Sequence, residues 1–412
     1  MKPYSKYKDS GISWLGQIPE HWDIIKAKHI LTPYNIKVGE RSREYDLLSL
    51  TLQGIIKRDM ENPTGKFPAS FDTYQEVHPG DFVFCLFDNE ETPRTVGLSE
   101  YFGMITGAYD VFRCERENVN SKYLLYYYLT IDDKKHMKPL YRGLRKTIPY
   151  NSFMRYGIPV PPRHEQDKIV EVIDKRIADI DNYIATKTKE LDLLREYITS
   201  LIYCNSPTET IDVTSWENCF PSSWNLKSGR MLFEEIDIKG ISNERYLAVT
   251  QDNGLIYKDV EGVNFVTSEK KETQKLVCEG QFVISLRSFE GGIEYSFLRG
   301  LVSPAYVVLQ LRKQYDTLPM RMYYRFLFKS RPFVTRLNHI SDSLRDGKSI
   351  KFADIRNFLF PVPEEERLYE IFKHIQVFDI KKNALDSEKR LFKEYKQRLI
   401  ADAVTGAINV QE

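Results

Sequence analysis

The sequence predicts an α+β chain: two tandem mixed α/β globules, separated and joined by two long antiparallel coiled-coil helices, with a pseudo-twofold repeat. Three observations predict it. The chain has only four tryptophans among 412 residues, and Trp14 and Trp22 recur as Trp216 and Trp224, each 202 residues on. A Pro-Val-Pro tripeptide stands at 159–161 and again at 361–363. Each tripeptide runs into an apolar heptad pattern.

Other matches fall between these landmarks in unchanged order. Gly80-Asp-Phe-Val-Phe84 recurs as Gly280-Gln-Phe-Val-Ile284, and Thr106-Gly-Ala-Tyr109 as Ser303-Pro-Ala-Tyr306. Leu144-Arg145 recurs as Leu344-Arg345, and Glu196-Tyr197 as Glu394-Tyr395. The drift of a few residues is what loop insertions produce, so the chain reads as a tandem duplication. The expected boundaries are an arm over 1–17, a globular domain over 18–162, a helix over 163–203 and a linker over 204–217. A second domain over 218–363, a second helix over 364–404 and a tail over 405–412 complete the chain.

Within each domain, apolar runs at 46–52 and 246–250 precede Gly54 and Gly254, and runs at 82–87 and 282–286 follow Gly80 and Gly280. All four read as strands with turn punctuation. Residues 123–129 and 322–328 read as short helices. Pro-Val-Pro then stops strand or helix. The first long helix carries Val170, Ile173, Ile177, Ile180, Ile184, Leu191, Leu194, Ile198 and Leu201, a seam in steps of three and four with Lys187 in the gap. At 1.5 Å per residue this seam is about 48 Å long. The second helix offers Leu368, Ile371, Ile375, Phe378, Leu385, Phe392, Tyr395 and Leu399, interrupted by Lys381 and Lys382. Each stripe can pack on its own domain or on the other helix. In an antiparallel pair with matched ends, Lys187 faces Lys382, and Asp386 or Glu190 has to relieve the like charges.

Composition excludes several classes. Lys and Arg number 59 against 58 Asp and Glu, and aromatics make up 13%. Balanced charge with many aromatics excludes low-complexity disorder. No apolar run approaches the roughly 20 residues of a membrane span, and the first residues lack an apolar signal region. The five cysteines never form Cys-x-x-Cys. A reduced thiol state and a cytoplasmic location are therefore expected. The chain has no phosphate-binding loop, no Gly-x-Gly-x-x-Gly, no Asn-Pro-Pro-Tyr or Asp-Pro-Pro-Tyr, no His-Glu-x-x-His and no zinc spacing. Glu269-Lys-Lys271 fits the Glu-x-Lys of some nucleases but lacks an upstream acid in strand context. No catalytic residue and no metal ligand is expected.

The stretch Tyr7-Lys-Asp-Ser-Gly-Ile-Ser-Trp-Leu-Gly-Gln-Ile-Pro-Glu-His-Trp22 resembles the opening of type I restriction–modification specificity subunits. The doubled Pro-Val-Pro stops before heptad helices and the closing Ala403-Val-Thr-Gly-Ala-Ile-Asn409 are similar too. The first copy departs from the pattern, with Tyr203-Cys-Asn-Ser-Pro207 in place of Val-Thr-Gly, which leaves the end of that helix open. The resemblance implies that each globule is a target-recognition domain reading half of a bipartite double-stranded DNA target. It implies that the helices set the spacing and dock methyltransferase subunits, two of them, with restriction–translocase subunits joining through the complex. This chain would be a non-catalytic specificity subunit. It would hold no cofactor, with S-adenosylmethionine, ATP and magnesium belonging to the partners. The resemblance also implies a bacterial or archaeal cytoplasm and no membrane partner.

Outside the two helices, 43 basic residues stand against 40 acidic ones. That is little charge for a lone DNA binder, because phosphate neutralisation dominates affinity, so partner subunits are expected to supply more. Two modules joined by such a helix can span one DNA turn of about 34 Å. Base edges and phosphates call for Arg, Lys, Asn or Gln on loops and strand ends. The candidates are Gln53, Lys57, Arg58, Arg94, Arg142, Arg145 and Lys146 in the first copy. Those of the second are Gln251, Asn253, Lys258, Arg287, Arg345, Lys348 and Lys351. Any one of them is equally well a solvated surface residue. The clusters Arg142-Gly-Leu-Arg-Lys146 and Arg345-Asp-Gly-Lys348 favour DNA by their matching positions. Tyr109 and Tyr306 are expected in the core. Two other readings remain: a coiled-coil scaffold with two protein-binding globular halves, and an enzyme whose site carries no familiar motif.

Overall fold

The computed structural model describes residues 2–59, 70–203, 216, 218–239, 241, 243–251, 254–258, 271–343 and 350–411, without the side chains of 340–343. It divides into two compact units, Met1–Ile184 with Glu388–Glu412, and Ala185–Ser387. The long helices Arg163–Ile202 and Glu365–Val404 both cross this division, so each unit holds a part of both.

The first unit is built on a four-stranded antiparallel sheet in the order Leu31–Pro33, Asp110–Cys114, Asp81–Phe84, Val96–Leu98. The second unit has the same order in Phe233–Ile236, Val307–Leu311, Phe282–Ile284, Glu294–Tyr295. Hairpins Leu48–Thr51 with Gly54–Lys57 and Leu247–Thr250 with Gly254–Tyr257 also match. Each tip turns at a glycine with positive φ, +101° at Gly54 and +64° at Gly254. In each tip a threonine hydroxyl donates to the glycine carbonyl, Thr51 at 3.0 Å and Thr250 at 2.8 Å. The duplication is therefore visible in topology as well as in sequence.

The expected short helices extend to Ser121–Asp133 and Leu318–Lys329. Asn120 caps the first by accepting from the amides of Lys122 and Tyr123, and Thr317 caps the second by accepting from Met320. Each helix also fixes a Pro-Val-Pro segment: Tyr123 donates to the Pro159 carbonyl at 2.8 Å and Tyr324 to that of Pro361 at 2.9 Å. The stop falls later than expected, because strands Gly157–Val160 and Leu359–Val362 run through the first proline of each tripeptide. Both belong to two-stranded ribbons, where a proline can sit without breaking a central ladder. Tyr109 and Tyr306 pack against cores, as expected.

The apolar stripes serve two purposes at once. In the first unit, Ile169, Val170 and Ile173 join the domain core together with Ala403 and Val404 from the end of the second long helix. In the second unit, Ile198, Leu201 and Ile202 join a core with Leu368, Ile371, Ile375 and Phe378. The helices run antiparallel within each unit: Asp181 pairs with Lys396 and the Tyr183 ring meets Phe392 in the first, while Glu190 pairs with Lys381 and Tyr197 meets His374 in the second. Glu190, one of the two acids expected to relieve the lysines at this level of the pair, does so. Glu190 lies against Lys381 and also takes Lys187 at 3.2 Å, so one carboxylate serves two ammonium groups. Opposite charges attract at this range, so the shared carboxylate offsets the repulsion between the two ammonium groups. Tyr395 also leaves the expected seam: it is exposed, and Phe392 and Leu399 hold that turn.

A buried carboxylate closes the first unit. Glu165, at the start of the first long helix, is 1% exposed. Its Oε1 accepts from the Tyr4 hydroxyl and, at 3.1 Å, from the Trp22 indole, and its Oε2 meets His21 Nε2 at 2.8 Å. Burial, with Glu165 alongside, pushes the Tyr4 hydroxyl well above its ordinary pKa. The chain's other end joins this knot. Tyr7 donates to the Gly406 carbonyl at 3.1 Å, and the Asn409 amide donates to Lys2 at 2.7 Å. Gly406 has φ +76°, and a Cβ there would lie 2.3 Å from Pro19.

A second carboxylate hub sits on strand Gln75–Val77. Glu76 accepts from Tyr34 at 2.7 Å and Tyr45 at 2.6 Å and meets His78 at 2.6 Å. The Tyr45 bond above all, then those of Tyr34 and His78, hold its carboxyl at about 2 against burial.

Two outcomes follow for stability. Glu165→Ala strands the Trp22 indole and the Tyr4 hydroxyl, and should cost about 2–4 kcal/mol in urea unfolding. Glu76 has a depressed folded pKa, so its contribution is complete above the ordinary carboxyl pKa and is lost as pH falls from about 4.5 toward 2. Glu76→Gln should flatten the stability–pH slope in that window and leave it unchanged above pH 6. An unaltered slope in thermal melts would refute the role given to Glu76.

Candidate nucleic-acid interface

In the first unit, the segment after strand Asp81–Phe84 packs against a loop closed by two backbone hydrogen bonds between Arg142 and Thr147, at 2.8 and 3.0 Å. Lys146 donates its amide to Gly143 at 3.2 Å within that loop. Gly143 has φ +67° and Lys146 φ +46°. The loop is pinned from below: the Ile148 amide donates to Leu86 at 2.8 Å, and the Asp88 amide donates to the Arg145 carbonyl at 2.7 Å.

The side chains repeat this bracing. The Arg145 guanidinium donates to both Asp88 carboxylate oxygens, at 2.7 and 3.3 Å, and lies 4.9 Å over the Phe87 ring. The pair shifts both groups toward their charged forms, with Asp88 held below and Arg145 above its ordinary pKa. Lys138 reaches Glu90 at 2.6 Å and Lys146 the same carboxylate at 3.9 Å. Arg142 donates only to carbonyls, those of Pro139 and Tyr141, and among the described residues no carboxylate pairs with it. Arg142, Arg145 and Lys146 are thus brought together on an exposed, braced loop.

The remaining first-copy candidates are scattered. Gln53 is exposed at the hairpin tip, its amide held by the Thr51 hydroxyl at 3.2 Å. Lys57 pairs with Asp46 at 2.6 Å and lies over the Tyr101 ring. Arg58 is half-buried and donates its amide to Leu47 at 2.8 Å. Arg94 is not a surface group: its side chain is 15% exposed and held by Asp132 and Asp133 at 3.3 and 3.0 Å. Asp132 also takes the amide and hydroxyl of Thr95, so Arg94 completes a structural cluster.

In the second unit, Gln251 and Arg287 come to one place. The Gln251 amide donates to Glu290 at 3.2 Å, and the Arg287 carbonyl accepts from the Glu290 amide at 2.9 Å. Lys329 donates to the Gln251 carbonyl at 2.9 Å and meets Glu294 at 2.5 Å. Gly291 permits this approach, because a Cβ there would lie 2.8 Å from the Gln251 side chain. Lys258 is half-buried with its ammonium over the Tyr246 ring, and Lys351 is exposed at the N-cap of helix Phe352–Ile355. Asn253, Arg345 and Lys348 lie outside the described residues, as do Glu269 and Lys270.

Sequence reading passed over Lys138, Phe87 and Asp88, which brace the first loop, and Lys329, which anchors Gln251. One signal was available: residues 134–146 contain six Lys and Arg and no acid. Among the described residues no group of His, Cys, Asp and Glu is placed to hold a metal ion, and no helix is long and apolar enough to cross a membrane.

Residues 97–193 match the sequence model of the type I restriction modification DNA specificity domain. No curated protein matches the chain. Among solved structures, a chain from work on complex assembly and conformational transition of the type I R-M system superposes with TM-score 0.55 at 15% identity, covering 95% of this chain and 99% of that one. The HsdS subunit from Thermoanaerobacter tengcongensis gives 0.41 at 16% identity, over 95% and 98% of the two chains. The type I restriction–modification S subunit from M. genitalium gives 0.44 at 12%, over 98% and 99%.

The braced loop makes a discriminating prediction. If Arg145 acts by fixing the loop through Asp88, Asp88→Ala and Arg145→Ala should each weaken duplex binding, and the double variant should lose no more than either. If Arg145 instead meets a phosphate, Asp88→Ala should strengthen binding by removing a competing anion, and Arg145→Ala should lower the salt slope by about one. Binding isotherms at several salt concentrations separate the two.

Proposed function

We propose, from the match of residues 97–193 to the type I restriction modification DNA specificity domain, that this chain is the sequence-specificity subunit of such a complex. Each globular half reads one half of a bipartite duplex target. The observation that carries this reading is the family match over 97–193 in a chain whose second unit repeats the first unit's topology. A duplicated reader suits a two-part target, because one module contacts only a few base pairs.

In this reading the recognition domains are 18–162 and 218–363, and the chain itself carries out no chemistry. S-adenosylmethionine, ATP and magnesium act in the partner subunits. The solved relative's setting, an assembled type I system, supports partners of that kind. The helices supply the docking surface: in the second unit Tyr369, Val377 and Ile380 of the second long helix are exposed on a face its own core leaves uncovered. The complex works in the cytoplasm, where its DNA lies. A protein-binding scaffold would share the helices but would give no reason for a DNA specificity domain at 97–193.

Exchange of residues 18–162 for the equivalent domain of a relative with a different target tests the assignment. Mapping of methylated adenines in cells carrying the hybrid complex should show one half-site changed and the other retained. A change in both half-sites would show that the halves do not read independently, and no methylation change at all would sink the recognition role.

A further inference from the structure

The loop Arg142–Thr147 carries one side chain that nothing in the unit explains. Leu144, at its tip, has 101% of its reference area exposed, the highest value of any large apolar residue described. An isolated exposed leucine on a floppy loop needs no explanation. This loop is held by two cross-loop backbone bonds, by Ile148 and Asp88 beneath it, and by the Arg145–Asp88 pair over Phe87. The leucine is therefore presented in a set position, and little order remains to be lost when it meets a partner.

Its surroundings are cationic. The acid-free run 134–146 supplies Arg142, Arg145 and Lys146 on the loop itself and Lys138, which shares Glu90 with Lys146, and it carries Lys134 earlier in the chain. Among the described residues neither Lys134 nor Arg142 is paired with a carboxylate. An apolar group set among cations fits a polyanion that exposes apolar groups at its base edges. The dipeptide Leu144-Arg145 recurs in sequence as Leu344-Arg345.

We infer that Leu144 is a specificity-determining residue that contacts the 5-methyl group of a thymine in the major groove, while Arg142 and Lys146 meet the flanking phosphates. The inference rests on the DNA-reading function proposed above. A two-stranded turn fits the major groove, and an apolar side chain there distinguishes thymine by its methyl group. Lysine and arginine at the same tip supply position and affinity, and the leucine supplies sequence information.

The test uses the chain assembled with its methyltransferase subunits and the duplex identified by methylated-adenine mapping. Duplexes in which each thymine of the first half-site is replaced singly by uracil remove one methyl group at a time. Leu144→Ala should weaken binding to the all-thymine duplex by roughly tenfold. One uracil replacement should weaken the wild-type complex and leave the Leu144→Ala complex no weaker than before. Leu144→Met should retain most of the affinity. A wild-type preference for the cognate duplex that survives Leu144→Ala unchanged overturns this inference alone. A loss on Leu144→Ala that no uracil replacement reproduces also overturns it, and points to a wedge between base steps instead. A wild-type complex that does not prefer the cognate duplex over a scrambled one overturns the proposed function, and this inference with it.

Discussion

Glu165 is the carboxylate on which the first unit closes. Taking it out of water is costly, and the cost is offset only because indole, phenol and imidazole partners converge on its two oxygens. Those partners are Tyr4 of the N-terminal arm and His21 and Trp22 just after it, and Glu165 itself belongs to the first turns of a long helix. The arm in turn holds the C-terminal segment through Tyr7 and Lys2. Tyr123 reaches both the Pro159 and Val404 carbonyls, so the short helix, the strand and the far end of the second long helix share one hydroxyl. Local elements far apart in sequence thereby become one core.

The second unit meets the same requirement with other chemistry. Trp216 donates its indole to the Leu359 carbonyl at 2.7 Å, and Tyr203 bonds Ser330 at 2.6 Å inside an aromatic core. Arg367, in the helix position that corresponds to Glu165, reaches the Leu201 carbonyl at 3.3 Å. Duplicated backbones have kept their topology while their polar closures diverged. That is expected where packing sets the fold and each buried polar group needs only some partner.

The same divergence marks corresponding strands and loops of the two units. Strand Gln75–Val77 carries the Glu76 hub with Tyr34, Tyr45 and His78, whereas Lys275–Val277 places Leu276 in the core and turns Lys275 toward Glu235 and Asp237. The first copy braces a basic loop on Asp88 and Glu90, and the second ties Gln251 to Glu290 and Lys329. A shared scaffold with unlike exposed chemistry is what two readers of unlike half-sites require. Among the described candidates, Lys57, Arg94, Arg145 and Gln251 are held by acids of their own unit, so they are set in place before any duplex arrives. Such preorganisation lowers the ordering cost of binding.

The tryptophan repeat, the Pro-Val-Pro stops and the heptad stripes were legible by inspection, because duplication and helical period leave their record in linear spacing. The two-part plan and both long helices follow from them. The packing partners do not. Glu190 takes Lys187 three residues before it and also Lys381, which lies 191 residues away. Arg94 reads as a surface cation until Asp132 and Asp133 are seen to enclose it, 38 and 39 residues on. Arg145 reads as a free contact until Asp88, 57 residues earlier, takes its guanidinium. Charge and period belong to the sequence by itself. Which charges are spent within the fold, and which side chain is left at the tip of a braced loop, was decided only by tertiary structure, because an ion pair depends on distance in space and distance in space is set by the packing of the cores.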